Sequence, residues 1–169
     1  HLEDWAGTLT VLLRFRDLFP GHELQPEVTK KIAFAYREDG RLALAAGEYE
    51  RIERESDDEE VRQGALLLAA ELYEEAGADG RALEVLRRYV EYFPSPLEIN
   101  LETRSEIAKL LKAGGDQKGY LAELGRIVAI DKSAGAERTG QTRYLAGKAA
   151  LVLAELIFER FVEIQLVIP

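Results

Sequence analysis

Cysteine is absent from the 169 residues, which excludes disulfides, thiolate nucleophiles and sulfur-ligated metal sites. It does not fix the compartment, because thiol-free chains occur on both sides of a membrane. Methionine is absent as well, residue 1 included. This predicts a piece of a longer polypeptide, in which His1, Leu2 and Glu3 resemble a tag remnant and carry no functional weight. Histidine is confined to His1 and His22, the second beside Pro20 and Gly21 in a loop, so imidazole-based acid–base or nucleophilic chemistry has no foundation. There is no HExxH, P-loop or dinucleotide glycine pattern, and no strand precedes Gly114-Gly115 to build a phosphate cradle. No catalytic, cofactor-binding or metal-binding residue is therefore expected.

Basic charge is in deficit: 22 Lys and Arg stand against 31 Asp and Glu, for a net charge of −9. Without a positive field to gather phosphates, nucleic acid is not an expected partner. Charged residues nevertheless reach 31% beside 47% apolar ones, more charge than the roughly 25% of an average globular protein. That pairing suits amphipathic helices with one wet face each, and the length suits about one domain.

A spaced pattern occurs three times. Ala33, Tyr36, Gly40, Ala45 and Tyr49 are followed at the same offsets by Ala70, Tyr73, Gly77, Ala82 and Leu86, then by Ala108, Leu111, Gly115, Tyr120 and Leu124. The sets lie 37 and 38 residues apart. A period of that length predicts an all-α fold, a solenoid of antiparallel helix hairpins in which each pair buries its apolar face against the next. The small residues let two helices close to about 8 Å. Tyr120 breaks the small-residue rule, so the third pair is expected to be splayed or shifted.

Local signals place the helices. Ser56 and Glu59 have capping-box spacing, and Asp57 to Glu60 puts acid at a helix start, where the dipole favours it. The acidic run lacks the spaced ligands of a cation loop. That helix should stop near Ala76, before Gly77 to Gly80, and its partner should run from Arg81 to Phe93 until Pro94. Pro26 suits the first turn of an earlier helix, Leu42 to Ile52 return from it, Asn100 can cap a helix through Leu111, and Tyr120 to Ile130 return in turn.

With these positions the chain resembles a tetratricopeptide repeat (TPR) array, most closely from Gln63 to Pro96. The resemblance implies repeats at 26–56, 57–96 and 98–132, with Asp57 and Lys132 where two of them lack the closing proline. Phe19-Pro20 precedes Phe93-Pro94 by 74 residues, twice the period, so 5–20 is expected to be the second helix of a half repeat. A right-handed superhelix with a concave groove is implied across 1–169, together with protein or peptide partners. Lining residues carried over from the family are Lys30, Phe34 and Arg37, then Leu67, Glu71 and Glu74, then Lys109 and Lys112. Phe34, Leu68, Glu102 and Glu106 replace the amides and cations that grip a peptide C-terminus in some members, which argues against a carboxylate clamp. The phrase from Tyr89 to Ser95 is similar to closing segments of TPR proteins of the bacterial cell envelope, which favours a periplasmic or envelope location.

The last segment departs from the repeat. A helix is expected from Thr142 to Leu166, apolar around most of its circumference and therefore in need of a cover. Lys148, Glu155, Glu159, Arg160 and Glu163 make it too charged to cross a membrane. Two functions follow: a scaffold that holds a partner in the groove, or a self-association module that oligomerises through Ile157, Phe158, Phe161 and Val162.

Overall fold

The computed structural model describes residues 4–163. Among them are eight α-helices and no strand: α1 (Trp5–Leu18), α2 (Gln25–Glu38), α3 (Leu42–Glu55), α4 (Glu59–Glu75), α5 (Asp79–Tyr92), α6 (Leu97–Ala113), α7 (Gln117–Ser133) and α8 (Gly140–Glu163), with a 3-10 turn at Gly135–Glu137 before the last. The expected end of α8 at Leu166 lies outside the described residues. Helices α1, α3, α5 and α7 begin 37, 37 and 38 residues apart, so α1 falls in register with the second helix of each pair.

The turns repeat atom for atom. Gly40, Gly77 and Gly115 have φ of 74°, 69° and 79°, the left-handed region where a side chain costs about 1–2 kcal/mol. Each lets the chain fold back so that the following amide reaches a carbonyl five residues earlier: Arg41 to Tyr36 at 2.9 Å, Ala78 to Tyr73 at 2.8 Å and Asp116 to Leu111 at 2.9 Å. This is the Schellman closure, which satisfies carbonyls that a helix end leaves free.

Two helix starts differ from expectation. The cap of α4 is Asp58, whose carboxylate accepts from the amides of Glu60 and Val61 at 2.9 and 3.2 Å. Ser56 instead accepts from the Asp58 amide at 3.2 Å, one step too early to close a box with Glu59. Asn100 lies inside α6, whose cap is Pro96. Its amide donates to the carbonyls of Val90 and Phe93 at 3.2 and 2.9 Å, closing the end of α5. Gln25 does the same for α1, donating to the carbonyls of Arg16 and Phe19. In both places the incoming helix caps the outgoing one by a buried or half-buried amide.

The chain divides between Tyr89 and Val90 into two units. In the first, consecutive helices pack in chain order, α1 on α2, α2 on α3 and α3 on α4. Leu9, Val28, Ile32 and Ala35 form one apolar cluster with Trp5, Leu13 and Phe15 around them. Ala33, Ile52 and Ala65 form a second, flanked by Tyr49 and Val61. In the second unit α6 packs on α7, and α8 on both. Leu101, Ile107, Ala108, Leu111, Leu124, Ile127, Ala146 and Ala149 are buried there. The result is an all-α arrangement of hairpins, the class that the period predicts.

Candidate functional site

In the first unit, α2 presents Lys30, Phe34 and Arg37 to solvent at one face, since Thr29, Ile32, Ala33 and Ala35 take the buried positions between them. Phe34 is 51% exposed but has an aromatic neighbour. Its ring meets the edge of Trp5 on α1 at 5.7 Å and 77°, so two aromatics share this ledge. Lys30 borders a hollow of about 180 Å³ with Pro26, Thr29, Ile52, Glu55 and Val61. On α4, Glu71 is exposed, whereas Leu67 and Glu74 are half-buried.

Behind these faces runs a charged network that sequence reasoning missed. Glu50 on α3 is buried to 5% exposure. Its carboxylate accepts from the Tyr73 hydroxyl at 2.8 Å, from Arg81 at 2.8 Å and from Arg88 at 3.0 Å. Burial alone would raise its pKa, but the hydrogen bonds from Tyr73 and Arg88 and the charges of Arg88 and Arg81 outweigh it and hold the group below its ordinary value. The same geometry, with burial first, raises the Tyr73 phenol. Arg81 also lies 5.5 Å from the centre of the Tyr73 ring. Because every acceptor here is answered by a donor from another helix, the network orients helices and offers nothing to a substrate. No signal in the repeat marks Glu50, since its partners come from two other helices, α4 and α5.

In the second unit, Lys109 and Lys112 of α6 come together at the rim of a cleft of about 320 Å³. Ala108, Tyr120, Leu124 and Ile127 line it from α6 and α7, and Leu145, Ala149 and Val152 from α8. Lys109 pairs with Glu106 at 2.6 Å, and the Lys112 ammonium sits 5.4 Å from the centre of the Tyr120 ring. Where the earlier pairs bury Ala45 and Ala82, Tyr120 is buried too, and it lines the cleft. Lys148 of α8 adds a third cation to the rim. The sequence shows Lys148 only as a charge on the last helix, because α8 departs from the repeat and no repeat position assigns it to a cleft. Below the cleft, buried Glu123 holds Arg104 and Arg126, each at 2.6 Å.

Among the described residues no cluster of carboxylates and imidazoles is arranged to hold a metal ion, and no helix is long and apolar enough to cross a membrane. The capped hairpins of the described residues have the form of a helical repeat. Comparison with protein families agrees: residues 64–96, from α4 to the proline before α6, match the tetratricopeptide repeat. No curated protein and no solved structure matches the chain. Repeats of this type mediate contacts between proteins.

Proposed function

We propose that the chain is a scaffold that holds a segment of a partner protein on the exposed faces of its first helices, within a larger assembly. The observation that carries this is the cleft against α6. It is lined by apolar Ala108, Leu124, Ile127 and Val152 and by Lys109, Lys112 and Lys148, with Glu106 paired to Lys109 the one acidic side chain among the lining residues. Such a surface takes an aliphatic or aromatic side chain and favours acidic neighbours on either side of it. On the first unit, the Phe34 and Trp5 ledge beside Lys30 and Arg37 offers a second apolar foothold with basic flanks. The similarity of residues 89–95 to envelope proteins of the repeat class supports a periplasmic setting for the assembly.

A random peptide library displayed on phage and panned against the chain tests this. Enriched peptides should combine one large apolar residue with Asp or Glu around it. Lys109→Glu with Lys112→Glu should weaken them at least about tenfold, the effect of two lost charge contacts at a partly buried rim. Enrichment of no peptide, or of peptides indifferent both to this pair and to Phe34→Ala, would overturn the proposal.

A further inference from the structure

Helix α8 carries along its length an exposed seam whose order is complementary to itself. The helix docks on its own unit through Thr142, Ala146 and Ala149, which are buried, with Leu145, Val152, Leu153 and Leu156 half-buried beside them. On the opposite side, Tyr144, Gly147, Leu151, Ala154, Phe158 and Phe161 follow at steps of three and four residues and are all exposed. That is the a and d spacing by which one helix packs into another. Four large members of the seam are 59–71% exposed, far more apolar surface than scattered single residues leave bare.

We propose that this seam binds a second copy of itself, antiparallel, across a twofold axis near residues 152 and 153. Such an axis brings Tyr144 against Phe161, Gly147 against Phe158 and Leu151 against Ala154 of the other copy. The two inner layers thus set a large side chain against a small one, twice over by symmetry. The flanks agree. Lys148 of each copy lies within reach of Glu155 of the other, giving two opposite-charge pairs. A parallel pairing would instead set Arg143 of one copy beside Lys148 of the other and stack Phe158 on Phe158, so charge and size both select the antiparallel form.

The absence of cysteine makes the test direct. Chains carrying Leu151→Cys mixed with chains carrying Ala154→Cys should form a mixed disulfide-linked dimer under mild oxidation, whereas Tyr144→Cys alone should not link to itself. In sedimentation equilibrium, Phe158→Glu should weaken the dimer at least about a hundredfold, since two buried charges enter by symmetry, with the helical circular dichroism unchanged. Lys148→Glu should weaken it by about tenfold, as two surface pairs turn repulsive, and Glu155→Lys in the same chain should restore it. A parent that stays monomeric to hundreds of micromolar would overturn the proposal. So would efficient Tyr144→Cys self-linkage, or a dimer indifferent to Phe158→Glu. Lys148 also stands on the cleft rim, so peptide capture is compared in Phe158→Glu, whose side chain lies on the opposite face of α8 from the cleft and should leave capture unchanged; this inference and the scaffold function therefore fail separately.

Discussion

Glu50 shows how much depends on a single carboxylate. Removing one partner of a buried charge cluster leaves the others desolvated and unanswered, which typically costs 3–5 kcal/mol. Here Arg81 is about half exposed and can recover water, so Glu50→Gln should cost about 2 kcal/mol in urea unfolding at pH 7. The sign with pH is fixed by the lowered pKa. Its stabilisation is present above the ordinary value of 4.5 and is lost as pH falls through the depressed one. The gap between parent and Gln variant should therefore narrow between pH 7 and pH 3; a constant gap would show that the carboxylate charge is not what holds α3 to Tyr73 and Arg81. Asp131 adds to the same acid limb, because the hydrogen bond from Arg138 outweighs burial and lowers its pKa. None of this was legible in the sequence. Acidic residues on a helix look alike until the helices that surround them are known.

The hairpin turns, by contrast, were legible before any coordinates. A glycine at a fixed offset from a small residue and a large one marks a left-handed helix end, because only glycine occupies that conformation without strain. Gly77→Ala should accordingly destabilise by about 1 kcal/mol. Gly80→Ala supplies the control. It lies in the first turn of α5 with no positive φ, and an added Cβ meets nothing within 4 Å, so it should be neutral or stabilising by up to about 1 kcal/mol. Thermal midpoints that move the same way for both would refute the capping account. Ala70, 1% exposed, has no spare room, and Ala70→Leu should cost about 1–3 kcal/mol by overpacking. The helix starts were less readable because Ser56, Asp57 and Asp58 are all competent caps. Which one serves depends on where the preceding helix releases the chain: α3 runs on to Glu55, three residues past the expected Ile52. Asn100 misled for the same reason, being a good cap in isolation and a better donor to the end of α5 in place.

In the first unit the helices pack mainly on their sequence neighbours, and this has a consequence for how stability is distributed. In such an arrangement free energy is close to a sum of local terms, and damage at one end need not spread. The first unit permits a clean test. Helix α1 packs on α2, largely through Leu9, which is 3% exposed and clusters with Val28, Ile32 and Ala35. Leu9→Ala should cost about 2–5 kcal/mol by the lost transfer energy and the cavity it leaves. If the terms are local, native-state hydrogen exchange should speed up through α1 and the facing turns of α2, while amides of α4 around Leu66 and Ala70 keep the parent's protection. The second apolar cluster, Ala33 with Ile52 and Ala65, shares no side chain with the first and continues to hold α2, α3 and α4 together. Loss of protection in α4 equal to that in α1 would mean that the unit opens as one cooperative body, and that the hairpin, despite its exact repetition in sequence, is not the unit of stability.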